Sequence, residues 1–274
     1  MALTETQKNE WRNQMEIKGE SVEEFYNSIE EDLRLKRKNT NQIEFLTTIE
    51  YLKKSIKPNS KILDACAGGG IYSFYLSDQG HQIYAGDLVE KNVEDIRRNQ
   101  KDLSKLKEIF VGSILDLHQY DDESFDVVLN LGSHYHLIEE AKRRKSLEES
   151  MRVLKKDGIY AISYVNRYSN IIKFREMFTD NFELMNEYLE TGFHSKNRVF
   201  FCTTPELIEE EVRKFGLQIM YHVATDGMKF IIGDVVNELT EEKFMQWMDF
   251  HLKTCEDKSI LGSSEHGLII ARKV

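Results

Sequence analysis

Ahead of Ile71 the chain reads Asp64-Ala65-Cys66-Ala67-Gly68-Gly69-Gly70, directly after a short apolar run, Lys61-Ile62-Leu63. Glycines at such a turn let backbone amides approach a ligand closely, with the N-terminus of the next helix beside them. The carboxylate of Asp64 lies inside the turn, so it repels a pyrophosphate and welcomes an amine. The spacing also departs from the G-x-G-x-x-G pattern of dinucleotide folds. Asp87 follows about twenty residues after the glycines, at the end of a second β-like run, where a carboxylate can accept both hydroxyl hydrogens of a ribose. The competing reading is a cap for the helix that follows it. Taken together, the two features describe a ligand with an amino group near Asp64 and a ribose at Asp87.

A second group follows the run FDVVLNLG, as Gly132-Ser133-His134-Tyr135-His136-Leu137. His134 and His136 are candidate general bases near neutral pH, and Tyr135 can shape a pocket or face a cation. The competing reading is that one histidine caps the helix near Ile138 while the other is packed. A metal is not expected, because a His-x-His pair needs further ligands and none is placed. Tyr164 and Arg167 end a later strand and are candidate substrate contacts, Arg167 suiting a carboxylate. Tyr26, in an N-terminal helical run, is a candidate to close over the pocket.

These residues need a scaffold that brings strand ends together. KILDA, QIYAGD, EIFVGS, FDVVLNLG and GIYAISYV read as strands, with amphipathic helical runs between them. Strands that are apolar throughout, alternating with helices, imply a parallel sheet covered on both faces. Right-handed crossovers then give a doubly wound α/β fold. The first fifty-odd residues read as helices, with Val22, Phe25, Tyr26, Ile29 and Leu33 at three- and four-residue steps. Residues 166–203 lack clean periodicity. TPELIEEEVRKFG is a well-signalled helix, with Thr204 as N-cap, Pro205 at the first helical position and Gly216 past its end. LQIMYHVA is a strand, residues 227–262 look like an insertion of two helices, and HGLIIARK is a final strand.

At this point the chain resembles the class I S-adenosylmethionine-dependent methyltransferases. KILDACAGGGIYSFYL resembles their first motif and QIYAGDLVEKNV their second, while FDVVLNLG and RVLKKDGIYAISY resemble the fourth strand and the turn into the fifth. The resemblance covers roughly residues 45–165. It implies a mostly parallel seven-stranded, Rossmann-like methyltransferase fold whose last strand is antiparallel, with N-terminal helices and helical cover insertions. It also implies S-adenosylmethionine as cofactor. Asp64, Cys66, Gly68 and Gly70 would meet its methionine portion, Asp87 its ribose and Leu88 its adenine. Ser113 and Ile114 would flank the adenine, and Leu131 and Gly132 would line the pocket. Three departures stand out: Cys66 replaces the family's first glycine, Ser113 its adenine-binding aspartate (with Asp116 as a possible substitute), and Lys156-Asp157 its Pro-Gly turn.

Domain organisation follows: residues 1–57 as an N-terminal helical lid, and residues 58–274 as the methyltransferase domain with cover insertions at 166–203 and 227–262. The expected reaction is direct methyl transfer to a small or medium-sized organic acceptor. The alternatives are an RNA or protein acceptor, or a non-catalytic binder of the cofactor.

Composition narrows these choices. The 274 residues carry 37 Lys+Arg against 47 Asp+Glu, a formal charge of −10, which disfavours a nucleic-acid partner. With 41% hydrophobic residues and only two prolines, Pro58 and Pro205, a continuously structured chain is expected. Cys66, Cys202 and Cys255 form no CxxC pair, and no secretory or membrane-spanning run stands out. The expectation is therefore a soluble, cytoplasmic protein without a membrane partner.

Overall fold

A computed structural model describes residues 38–100, 105–173, 175, 179, 182–183, 185–186 and 200–274. Tyr26, most of the proposed lid and much of the first proposed insertion lie outside the described residues.

The sheet follows the order β3-β2-β1-β4-β5-β8-β7. Its strands are β1 (Lys61–Asp64), β2 (Gln82–Asp87), β3 (Glu108–Val111), β4 (Phe125–Asn130), β5 (Leu154–Asn166), β7 (Leu217–Ala224) and β8 (His266–Lys273). An eighth strand, β6 (Cys202–Thr203), pairs with Val165 and Asn166 off this path. All neighbours are parallel except β8, which runs antiparallel to both β5 and β7. The fold is thus the doubly wound, mostly parallel one expected. Among the described residues the two-residue β6 makes eight strands instead of seven, because a bridge that short leaves no pattern in the sequence.

Alternation within each strand builds two cores. Ile62, Ile83, Val127, Leu129 and Ile270 pack on one face, with Tyr51 and Leu52. Leu63, Val128, Tyr160, Ile162 and Ile269 pack on the other. Helices α1 (Asn39–Ser55), α2 (Ile71–Asp78), α3 (Glu90–Asn99), α4 (Glu140–Val153), α5 (Ser169–Lys173) and α6 (Pro205–Lys214) cover them. α6 begins as its sequence dictates: Thr204 Oγ1 accepts from the Leu207 N–H, Pro205 opens the helix, and Gly216 follows at φ +71°.

Between β7 and β8 lie three helices where two were expected: α7 (Lys229–Asn237), α8 (Glu241–Thr254) and α9 (Lys258–Ser263). The third spans little more than one turn, too short for a periodic signal. α1 packs against α7, α8 and β8. Its Asn39 Nδ2 donates to the carbonyls of Val236 and Leu239, which ties the N-terminal helix to the insertion. Among the described residues, no helix is long and apolar enough to cross a membrane.

β1 lies between β2 and β4, so the helices after β1 and β4 leave to opposite faces. A crevice opens at such a switch point, beyond the strands' carboxyl ends. Asp64 pairs there with Ala85 and Leu129, and Asp87 with Val111, which gathers the chemistry-bearing residues along one edge.

Candidate active site

A cavity occupies this edge. The β1 turn contributes Cys66 and Gly68 to its wall, and the end of β2 contributes Asp87 and Leu88. Ser113 and Ile114 follow β3; Leu131, Gly132, Tyr135 and His136 follow β4. Ten residues singled out from the sequence therefore meet in one wall.

Asp87 is the hinge of this arrangement. Its Oδ2 accepts the Gly68 N–H at 2.9 Å, while Oδ1 accepts the Val89 N–H at 2.9 Å and Asn92 Nδ2 at 3.0 Å. Burial raises its pKa above the ordinary carboxylate value, against the pull of those three donors. One oxygen thus serves the local helix start, and the other faces the glycine turn.

Asp64 stands behind the wall instead of in it. The residue is 1% exposed, and its Oδ2 accepts Ser73 Oγ at 2.6 Å from the first turn of α2. Burial pushes its pKa up to about 7, opposed by the Ser73 hydroxyl and reinforced by the nearby Asp87 charge. Gly70 is also outside the wall. At φ +82° it caps α2, and a Cβ there would sit 3.0 Å from Phe74 and 3.1 Å from Ile96, so it serves helix packing.

Cys66 is not among the described residues with positive φ, so it occupies the turn without backbone strain. Burial pushes its thiol up to about 12, keeping it neutral. Ser113 Oγ accepts the Leu115 N–H at 3.2 Å. Asp116 is absent from the wall and bonds to exposed His118 Nδ1 at 2.9 Å.

The structure separates the two histidines. His134–His136 form a single 3₁₀ turn, in which successive side chains diverge by about 120°. His136 therefore reaches the wall, its ring 4.8 Å from Tyr135 and 4.8 Å from Phe200. His134 is fully buried on another side, edge-on to Phe201, with Nε2 3.5 Å from Glu211. It does not line the cavity. Nor does Tyr164, which faces the sheet side opposite Val165 and bonds through its hydroxyl to His222 Nε2 at 2.9 Å. Arg167 is likewise absent from the wall; its N–H donates to the Thr203 carbonyl at 2.7 Å.

Sequence reading missed four polar wall residues: Glu44, Tyr72, Asn92 and Ser133. Asn92, five residues after Asp87, was findable as a helix-start partner for the carboxylate. Glu44 sits among the apolar residues of α1 and gives no signal of its own.

The wall fits the expected cofactor. A carboxylate with accepting capacity stands at the end of β2, and bare backbone lies at Gly68 and Gly132. Leu88 keeps 47% of its surface open at the rim, an unused apolar surface suited to a flat ring.

Comparison with known proteins agrees. Residues 63–162 match a protein family described as a methyltransferase domain. Residues 63–162 thus form a methyltransferase domain, and the fold is the one expected of the class I family. A glycine/sarcosine N-methyltransferase of Aphanothece halophytica is 27% identical over 189 residues, covering 64% of this chain and 63% of that protein. The match therefore spans somewhat less than two thirds of that relative. A ubiquinone biosynthesis O-methyltransferase of Pelagibacter ubique is 27% identical over 204 residues, covering 74% of this chain and 79% of its own. Among solved structures, an S-adenosylmethionine-dependent methyltransferase of Methanosarcina mazei superposes with a TM-score of 0.55 at 16% identity, covering 82% of this chain and 97% of that one. The cyclase SpnF superposes at 0.52 and 16% identity, over 84% and 80%. At those identities the likeness is one of fold, and this methyltransferase fold also carries a cyclase, so the reaction must be argued from the site.

Proposed function

We propose that this methyltransferase domain transfers a methyl group from S-adenosylmethionine to a small or medium-sized organic acceptor by direct displacement. The observation that carries the reading is Asp87 in the cavity wall, with Gly68 on one carboxylate oxygen and the other held by Val89 and Asn92. The bound cofactor would supply an electrophilic methyl on a sulfonium. The chain's residues then have three tasks: holding the ribose at Asp87, seating the adenine among Leu88, Val89 and Ile114, and presenting the acceptor in line.

The acceptor side is bounded by Glu44, Tyr72, Tyr135 and His136, which is a compact and partly aromatic compartment. That composition favours a small molecule over a polymer, as does the net charge of −10. The names of the two relatives point the same way. α1 contributes Glu44 to the wall, which supports residues 1–57 as a cover, with 166–203 and 227–262 as further covers. His136 is the sequence-selected histidine that remains near the acceptor side. Free thiols at Cys66, Cys202 and Cys255 suit a reducing, cytoplasmic setting.

Calorimetry with S-adenosylhomocysteine tests the reading. One-to-one binding in the micromolar range is expected. Absence of binding below the millimolar range would overturn it.

A further inference from the structure

Two residues of the cavity wall carry carboxylates, Asp87 and Glu44, and among the described residues no lysine or arginine lines it. The two acids stand at opposite ends. Asp87 ends β2, whereas Glu44 Oε2 lies 3.8 Å from Nδ1 of His266, which opens β8 and pairs with Val165 near the end of β5. In the order β2-β1-β4-β5 these ends are three strand spacings apart, about 14 Å. A ribose held by Asp87 therefore leaves Glu44 for a different group.

Aromatic rings flank the Glu44 end. Phe45, the next residue of α1, packs against the ring of Tyr72 at 5.5 Å, which seats α1 beside the start of α2. Glu44 and Tyr72 thereby share one wall. From the β4 side comes Tyr135, whose ring is 6.4 Å from that of His266. A carboxylate beside aromatic rings is the surrounding that recognises an organic cation, by charge and by the rings' negative faces.

The cations behind Glu44 are committed to other carboxylates. His266 Nδ1 contacts Asp226 Oδ2 at 2.8 Å, and Lys229 Nζ lies 2.9 Å from the same oxygen and 2.5 Å from Glu265. Lys173 Nζ is 2.6 Å from Glu265. Glu44, Asp226 and His266 bring possible metal-ligand atoms within 4.8 Å. A metal ion there would have to break the Asp226–His266 contact and displace Lys229, whereas an organic cation arriving from the cavity disturbs neither. Only 13% of the Glu44 side chain is exposed, so water screens a counter-charge weakly.

We propose that Glu44 is a specificity-determining residue of the acceptor side, selecting a small molecule that carries an ammonium group. The proposal rests on the methyl-transfer reading above and names its substrate class. An ammonium has no lone pair, so the nitrogen that Glu44 holds is an anchor, and the methylated atom is another on the same molecule. That atom's lone pair forms the bond to the methyl carbon, and the carbon–sulfur pair returns to sulfur. A proton carried by the attacked atom leaves to water. An acceptor anchored by a carboxylate would instead meet like charge at Glu44.

The test is calorimetry on the full chain saturated with S-adenosylhomocysteine. Tyramine and tryptamine are the cationic probes, and 4-hydroxyphenylacetate and indole-3-acetate are their carboxylate counterparts. At least one amine should bind in the millimolar range or tighter, about 10- to 100-fold more tightly than its counterpart. Glu44→Gln should abolish that preference, and Glu44→Asp, which keeps the charge, should retain it. Binding of neither amine, equal binding of amine and carboxylate, or a preference that survives in Glu44→Gln overturns the proposal. So does a loss of S-adenosylhomocysteine affinity of about tenfold in Glu44→Gln, because that places Glu44 on the cofactor. The comparison within the unaltered chain decides even if Glu44→Gln does not fold. Failure of the unaltered chain to bind S-adenosylhomocysteine overturns the methyl-transfer reading instead, and the amine preference is then measured without it.

Discussion

The Gly68 N–H donates to Oδ2 of Asp87 at 2.9 Å, so the glycine turn after β1 and the last residue of β2 hold each other in place. Neither residue is in a strand interior, and just before them the Ala67 N–H donates to the Gly86 carbonyl at 2.9 Å. The two bonds together hold the crevice at the point where β1 and β2 diverge. A carboxylate oxygen has two acceptor positions, so Oδ2 can keep Gly68 and still receive a ligand hydroxyl.

Removing that carboxylate should therefore weaken binding twice over, by losing the ligand contact and by freeing the turn. Asp87→Ala is expected to weaken S-adenosylhomocysteine about 10- to 100-fold, the range for a charged hydrogen bond of about 1.5–3 kcal/mol. Calorimetry measures it directly. A change below twofold would take Asp87 out of the site.

Asp64 gives a pH-dependent expectation. Its folded pKa of about 7 lies above the unfolded value near 3.9, so folding favours the protonated carboxyl. That contribution is complete below about pH 4 and is lost as pH climbs through about 7, a change on the order of a few kcal/mol. Asp64→Asn keeps an oxygen for Ser73 and removes the ionisation. The variant should match the parent in urea unfolding at pH 4.5 and exceed it at pH 8. Equal stability at both values would mean that the carboxylate ionises freely in the fold.

What the sequence revealed and what it hid follow from the range of each interaction. β1 and β2 are legible because both faces are buried and the apolar runs are uninterrupted, and α6 is legible because Thr204, Pro205 and Gly216 act within one turn. Asp87 is legible for the same reason, its donors Val89 and Asn92 being two and five residues away. His266 is different: its partner Asp226 lies forty residues earlier, and its neighbour Glu44 sits on a separate helix. Only the antiparallel insertion of β8 beside β5 brings these groups together. His134 and Tyr164 lie off the cavity wall for a geometric reason: the sequence places them near the edge but does not say on which side of a turn or strand they project.

Tyr164 is accordingly expected to matter for stability and not for ligands. Its hydroxyl meets His222 Nε2, whose Nδ1 meets Glu209 at 2.8 Å. Tyr164→Phe leaves the buried imidazole one partner short, at a cost of about 1–3 kcal/mol. Thermal unfolding should show a lower midpoint while calorimetry finds unchanged affinity for S-adenosylhomocysteine. A selective loss of affinity would return Tyr164 to the cavity.

Gly70 carries the last expectation, because the turn must reverse into α2 at a left-handed residue. At φ +82° an alanine pays about 1 kcal/mol in backbone energy, and its Cβ would press within 3.0 Å of Phe74 and 3.1 Å of Ile96. Phe74 is partly exposed and can give way, whereas Ile96 is fully buried and cannot. Gly70→Ala should cost about 2 kcal/mol in all, lowering the midpoint of thermal unfolding by about 4–8 °C. Since Gly70 lies behind the cavity wall, ligand affinity should change much less than in Asp87→Ala. A midpoint unchanged within error would mean that the turn refolds around a right-handed residue and that the glycine is dispensable.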